Sequence, residues 1–157
     1  MSQYISFYVK TTDDKYLNLW DFSRTSAIYQ AFANIVPNYN NVAPLTMDKL
    51  CYVEKQLLDK IQFTNDELKS AEQILQDIKE STFNNADEKF DCIVEHRGTI
   101  SEIEDGIHEL QNATHFVRLL QEILNSAKFK SELDIYTPSE ECFLYAGIEC
   151  ENPNKKA

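Results

Sequence analysis

The three histidines are the first residues whose spacing could indicate a metal site. His108 and His115 are seven residues apart, which on a helix separates them by about 10 Å along the axis, too far for one zinc ion to bind both. Glu104 and His108 could supply two ligands, but an acidic residue and a histidine at this spacing are typical of a solvated pair. His96 falls in an apolar pattern, where we expect a half-buried ring with a hydrogen-bonding neighbour. We therefore predict no metal site.

Cysteine chemistry is not indicated either. The four cysteines, at positions 51, 92, 142 and 150, include no Cys-x-x-Cys pair of the kind found in zinc ribbons and thioredoxin-type sites. Cys51 and Cys92 fall in apolar helical patterns, where a free cysteine acts as a small core residue. Since residues 1–9 lack the features of a secretory signal, we expect four free thiols in a reducing cytoplasm. No window approaches the roughly 20 apolar residues that cross a bilayer, so we expect no membrane association.

Motifs of other catalytic classes are missing from the sequence. There is no glycine-flanked elbow to present a Ser or Cys nucleophile, and no Gly-rich phosphate loop. Carboxylates are plentiful, but general acid–base catalysis needs a cleft, which a two-helix hairpin does not provide. We predict that the protein is not an enzyme and has no cofactor, and a small enzyme of unknown type is the remaining alternative.

The negative charge is concentrated in one part of the chain. The formal net charge is −11, and residues 87–110 contain eight acidic residues against two basic ones. Direct nucleic-acid binding requires a basic face that displaces counterions from phosphates, so we do not expect it. A basic protein partner and simple solubility are the two interpretations that remain for this run. Its acidic residues are Asp87, Glu88, Asp91, Glu95, Glu102, Glu104, Asp105 and Glu109.

The N-terminal residues 1–36 are predicted to form a β-hairpin followed by a short helix. Residues 4–9 alternate with a period of two and are rich in β-branched and aromatic types, as are residues 16–20 after a polar turn. Asp21 or Ser23 is expected to cap a helix of about three turns. Phe7, Phe22 and Phe32 are the aromatic residues that we expect in the core.

Two long amphipathic helices are predicted over residues 46–82 and 85–128. Apolar residues recur every three or four positions, and the short turn between the helices requires them to pack antiparallel. Capping-box patterns at Thr64 and after Gly98 allow an alternative with broken helices, but the heptad pattern continues through both positions and favours unbroken ones. The pattern consists of Leu50, Val53, Leu57, Ile61, Thr64, Leu68, Ala71, Leu75 and Ile78 in the first helix, and of Ile93, His96, Ile100, Ile103, Ile107, Leu110, Thr114, Val117 and Leu124 in the second.

The C-terminal residues complete the predicted fold. Residues 36–44 are expected to be a surface connection, residues 133–150 short strands, and residues 151–157 a disordered tail. The C-terminal strands should join the N-terminal hairpin, because an isolated two-stranded hairpin is only marginally stable. The fold class is therefore α+β and mainly α: one domain, 1–157, with a long antiparallel coiled-coil-like two-helix hairpin and a small antiparallel β head.

Two functional hypotheses follow. The first is a non-enzymatic protein-protein interaction protein that forms a homodimer, because apolar residues widen the helical stripe beyond a two-helix seam. The second is an acidic mimic of nucleic acid that inhibits a nucleic-acid-binding enzyme, of the viral or mobile-element anti-defence type. The predicted dimer residues are Leu58, Ile74, Leu119, Leu120 and Ile123. The predicted residues for binding another protein are Tyr4, Tyr8, Trp20, Glu102, Glu104 and Asp105.

Overall fold

The computed structural model describes residues 4–11, 15–36, 42–125 and 143–148. It is mainly helical, with two long helices packed against each other and a small antiparallel sheet built from N- and C-terminal segments, so the predicted fold class is confirmed. In chain order the elements are β1 (Tyr4–Lys10), β2 (Tyr16–Ser23), α1 (Ala27–Phe32), β3 (Val42–Pro44), α2 (Met47–Glu80), α3 (Ala86–Asn125) and β4 (Leu144–Ile148).

The sheet has the strand order β2-β1-β4-β3, and every pair is antiparallel. The expectation that a C-terminal strand joins the hairpin is confirmed by β4, which pairs along β1. A β-bulge between Phe7 and Tyr8 leaves Leu19 of β2 without a partner residue in β1. Residues 126–128 of the predicted second helix, residues 133–142 and 149–150 of the predicted strands, and the predicted tail 151–157 lie outside the described part of the chain.

Several predictions around the sheet are wrong. Residues 42–44, expected in a surface connection, form β3 at a sheet edge, where Pro44 is tolerated because an edge strand need not donate on both sides. Helix α1 spans six residues instead of about three turns. Its cap is Ser26, whose Oγ accepts a hydrogen bond from the Tyr29 amide at 3.1 Å. Asp21 and Ser23 instead belong to β2, which continues three residues further than predicted.

The ends of the long helices have side-chain caps. The hydroxyl of Thr46 accepts a hydrogen bond from the Lys49 amide at 3.3 Å before α2, and the Asn85 side chain accepts one from the Asp87 amide at 2.8 Å before α3. Each cap satisfies a backbone donor that has no partner inside its helix. The first helix was predicted to run to residue 82 and ends at Glu80.

Neither long helix is interrupted, as the heptad pattern predicted. Thr64 does not cap a new helix; its hydroxyl donates to the carbonyl of Lys60 at 2.8 Å, which is a bond within a continuous helix. Gly98 likewise lies inside α3. All the heptad positions named above are buried or half-buried, whereas most residues between them are exposed.

The described residues form two compact units. The first contains the sheet, α1, and the parts of the long helices up to Gln56 and from Ala113 onward; the second consists of α2 and α3 between Leu57 and Asn112. The core of the second unit includes Ala71, Leu75 and Ile107. The core of the first is larger and includes Ile5, Phe7, Val9, Phe32, Leu50, Val53, Val117, Leu120, Ile123, Leu144 and Ile148.

Candidate protein-binding surface

The aromatic residues of the first unit pack against one another. Phe116 of α3 makes edge-to-face contacts with Phe7, Trp20 and Phe22 at centroid distances of 5.0, 5.2 and 4.9 Å, and Phe7 also contacts Phe32 at 5.1 Å. The predicted core role of Phe7 and Phe32 is therefore confirmed, and Phe22 packs against this cluster from a half-buried position. The sequence reasoning missed Phe116, because this residue lies beside the heptad seam and only the sheet explains its half-burial.

The aromatic residues predicted to bind another protein have limited exposure. Tyr8 is only 3% exposed, and its ring lies edge-on to Tyr16, which in turn contacts Tyr145 at 5.2 Å. Trp20 is half-buried against Phe116, and Tyr4 is half-buried at the start of β1. A binding role for these rings stays a prediction.

A small polar group lies on the helices of the first unit. Arg118 Nε donates to Glu54 at 2.7 Å, and Gln121 donates to the same carboxylate at 3.3 Å. The hydrogen bond from Arg118 is the largest cause of a lowered Glu54 pKa, and burial opposes it only in part. Glu54 stays ionised at neutral pH and is therefore a poor general acid or base. The group borders an open depression that Glu122 and Asn125 also line.

The described residues contain no cluster of three His, Cys, Asp or Glu side chains that could hold a metal ion. His96 is half-buried, and its Nε2–H donates to the Ala71 carbonyl at 2.8 Å, which confirms the expected hydrogen-bonded ring. Both described cysteines are free thiols, but Cys51 is exposed, so its predicted place in the core is wrong. It lies next to the seam residue Leu50, and its Sγ accepts a hydrogen bond from the Gln121 side-chain amide of α3 at 4.0 Å. Cys92 is half-buried.

Six acidic side chains form one line on α3, which we call the acidic stripe. Four glutamates recur every seven residues, and two aspartates lie between them at steps of three and four, so all six share one helix face. Every one is exposed, and none has an ion-pair partner among the described residues. The stripe consists of Glu88, Asp91, Glu95, Glu102, Asp105 and Glu109. It contains the predicted Glu102 and Asp105, whereas the predicted Glu104 is exposed about 150° around the helix from the centre of the stripe.

The two basic residues of this stretch do not neutralise the stripe. The Lys89 ammonium forms hydrogen bonds with backbone carbonyls instead. It donates to the carbonyls of Lys79 and Ser81 at 2.8 and 2.9 Å and so caps the C-terminal end of α2. Arg97 is exposed and forms no ion pair within the described residues. The face of α3 therefore presents an uncompensated row of negative charge.

An apolar pair borders this row. Phe90 and Val94 are 65% and 52% exposed, and they share a face because they are four residues apart. Asp87 and Asp91 precede them by three residues each, which places a carboxylate beside each apolar side chain. Sequence reasoning overlooked this pair, although two apolar residues off the heptad seam were a visible signal.

Neither relatives nor structural neighbours help to assign a function. No family model, curated protein or solved structure matches this chain. In the part of the chain that the structure describes, every helix is too short or too polar to span a membrane.

The predicted dimer residues divide between the two units. Leu120 and Ile123 are buried in the first unit, at 0% and 5% exposure, and Leu119 beside them is 40% exposed. In the second unit Leu58 and Ile74 are 43% and 50% exposed. Leu120 and Ile123, which widen the apolar stripe near the C-terminal end of α3, are therefore buried by the chain itself and need no second copy. Leu58 and Ile74 of the second unit remain exposed.

Proposed function

We propose that this protein is a non-enzymatic protein-protein interaction protein and that its acidic stripe binds a basic surface of another protein. The observation that supports this proposal is the row of six exposed carboxylates, none of which forms an ion pair with another described residue. A helix surface that serves only solubility is more stable with mixed charges, because each acid–base pair three or four residues apart stabilises the helix by about 0.2–0.5 kcal/mol. Repeating acidic residues at those steps has the opposite effect.

The neighbouring helix provides an internal comparison. Between Leu57 and Glu80, α2 intersperses three basic residues among six acidic ones, and Lys69 lies three residues from both Asp66 and Glu72. This arrangement suits a solvated surface. The stripe on α3 departs from it in the same unit, which favours a binding role for the stripe over simple solubility.

Phe90 and Val94 add exposed apolar side chains to the charged surface. Charged residues steer association and set specificity, but most binding energy comes from a few apolar or aromatic anchors that lose their water. An exposed phenylalanine between carboxylates suits a basic partner segment that also presents an apolar side chain. We place the anchor of the interface at this pair.

The test is capture of partners from an extract of the host with the immobilised full-length chain. The variant E88Q/E95Q/E102Q/E109Q removes four charges with no change of side-chain shape or helix propensity. The control D66N/E67Q/E72Q/E80Q removes four charges from α2. We expect a captured protein with a basic surface, about tenfold or more weaker binding to the stripe variant, and steep weakening by salt. Equal loss in both variants, or binding that is indifferent to salt, would refute the proposal.

The regular spacing of the stripe supports a second candidate, inhibition of a nucleic-acid-binding enzyme by mimicry of a phosphate backbone. From Glu88 to Glu109 the stripe extends about 31 Å, and its carboxylates follow one another at about 4.5 to 6 Å along the axis, except for a gap of about 10.5 Å between Glu95 and Glu102. One DNA strand has a phosphate about every 3.4 Å along the axis. Competition decides between the candidates: duplex DNA should displace the captured protein under the mimicry hypothesis and should have no effect on an ordinary basic partner.

A further inference from the structure

We infer that the partner of the acidic stripe presents an arginine-containing helix, and that one of its arginines lies against the bare backbone of α3 at Gly98. Because the stripe is the surface of the proposed function, this inference rests on that function. It adds the type of residue that the stripe recognises and the point at which the partner comes closest to α3.

The chain itself gives no reason for the glycine at position 98. Gly98 lies inside α3, where the backbone is helical and does not need the conformational freedom of glycine. Glycine destabilises the interior of a helix more than any residue except proline. Close packing against another element would explain it, but a Cβ atom added at Gly98 would meet no described atom within 4 Å beyond the adjacent residues and the local helix backbone. A partner that approaches this backbone closely would give the missing side chain a role.

Gly98 occupies the one empty place in the acidic stripe. The stripe residues follow one another in alternating steps of three and four, except between Glu95 and Glu102, which are seven residues apart. Gly98 lies three residues after Glu95 and four before Glu102, so all three share one face of the helix. All three are exposed. The row of carboxylates therefore contains an open space at position 98 with a glutamate at each end, which we call the Gly98 gap.

An arginine side chain fits the Gly98 gap in shape and in charge. Its planar guanidinium has five N–H donors and can bind two carboxylates at once, whereas the ammonium of lysine is a compact point charge. Glu95 and Glu102 can bind the guanidinium from the two ends of the gap, and the flat group lies on the backbone that Gly98 leaves uncovered. Val94, which is 52% exposed and four residues before Gly98, can contact the methylene groups of the same arginine. The gap thus joins the charged row to the apolar pair of α3.

The spacing of the stripe favours a helical partner over an extended one. The glutamates of the stripe recur every seven residues, which is the period at which a helix packed alongside α3 returns the same face to the contact. An extended segment gains affinity by pairing with free backbone groups at the edge of a sheet. The interior of α3 offers no such groups, because its backbone donors and acceptors bond within the helix. A helix with basic residues at steps of seven therefore matches the stripe.

The test measures the affinity of the full-length chain for two synthetic helical peptides by calorimetry at about 20 mM salt. Both are alanine-based peptides of about 20 residues, long enough to form a helix, and they have either arginine or lysine at every seventh position. We expect the wild type to bind the arginine peptide more tightly than the lysine peptide. G98L should weaken binding of the arginine peptide by about tenfold or more, because its side chain fills the gap.

The pair G98A and G106A separates the gap from the stability of the helix. Both variants should raise the melting temperature, because alanine replaces glycine in the same helix and an added Cβ has open space at either position. Only G98A narrows the gap, so it should bind the arginine peptide more weakly than the wild type although it is more stable. G106A should bind the peptide like the wild type. Circular dichroism checks that each variant keeps its helices.

Two results would overturn the inference: G98L that binds the arginine peptide as tightly as the wild type does, or a wild type that binds both peptides equally well. The variant E88Q/E95Q/E102Q/E109Q shows whether the proposed function fails with it. If this variant weakens binding of the arginine peptide and G98L does not, the stripe still binds basic helices and only the Gly98 gap is refuted. If neither variant weakens binding, both proposals fail.

Discussion

Removing two charges from the acidic stripe should make the protein more stable. Asp91 lies three residues after Glu88 and four before Glu95, and Asp105 has the same relation to Glu102 and Glu109. The variant D91N/D105N therefore removes four like-charge pairs within the stripe and a fifth between Asp87 and Asp91, which are four residues apart. Each such pair destabilises a helix by about 0.2–0.5 kcal/mol, so the expected gain is about 1–2.5 kcal/mol. Asp and Asn have similar helix propensities, so the exchange itself has little effect.

The control variant D66N/E72Q changes the net charge by the same amount on α2. Both residues lie three positions from Lys69, so this variant removes two favourable pairs and should lose about 0.4–1 kcal/mol. The two variants thus shift the free energy of unfolding in opposite directions, although each has two negative charges fewer. A general effect of net charge would shift both in the same direction.

Urea denaturation followed by circular dichroism measures both shifts, at about 20 mM and at about 1 M salt. The screening length falls to about 3 Å at 1 M, shorter than the separation of about 5–6 Å between side chains on neighbouring turns. Both differences should therefore shrink at high salt. Our reasoning fails if D91N/D105N is no more stable than the wild type at low salt, or if its gain is as large at 1 M. A gain in stability together with weaker partner binding would indicate that the carboxylates serve binding at the expense of the helix.

F116A, E54Q and K89M test contacts in the fold. F116A should lower the free energy of unfolding by about 3 kcal/mol, the lower end of the usual range for Phe→Ala, because the ring is half-buried. The control F90A should change it by less than about 0.5 kcal/mol, and similar losses for both variants in urea denaturation would contradict the aromatic cluster. Because the pKa of Glu54 is lowered, its ion pair stabilises the fold fully at pH values above the ordinary glutamate pKa of 4.5, and this stabilisation is lost as the pH falls through the lowered pKa. At pH 7 the free energy of unfolding of E54Q should therefore be lower than that of the wild type by up to about 1 kcal/mol. Thermal unfolding between pH 7 and pH 2 should show this difference disappear in strong acid. K89M should lower stability by about 1 kcal/mol, because two carbonyls at the end of α2 lose their donor, and an unchanged melting temperature would argue against this cap.

The heptad pattern predicted the long helices because every seam position faces the partner helix, and periodicity is sufficient to identify such positions. The same logic could not find Phe116, whose surroundings come from β1 and β2, far away in the sequence. Strand β3 was missed because three residues ending in Pro44 lack the pattern of a strand and pair only at an edge. Cys51 was misplaced because it is adjacent to the seam without being part of it.

The acidic stripe, too, could be predicted only in part from the sequence. The excess of acidic residues between 87 and 110 was visible from composition, and the seven-residue spacing of its glutamates was also present in the sequence. The structure added that Lys89 is occupied by two backbone carbonyls and that Phe90 is exposed beside the carboxylates. These contacts depend on how the turn between α2 and α3 is closed, which periodicity does not specify.

The central strand of the sheet has a consequence for the order of folding. Ile5 pairs with Ile148, 143 residues later, whereas its other neighbour, Phe22, is only 17 residues away. Long-range strand pairing is slow, because the intervening chain must first be brought together. The helical hairpin can form while the chain is still being synthesised, but β1 keeps an open edge until residues 144–148 have left the ribosome. A chain truncated before Leu144 would retain its long helices and expose an apolar strand edge, which is the kind of surface that aggregates.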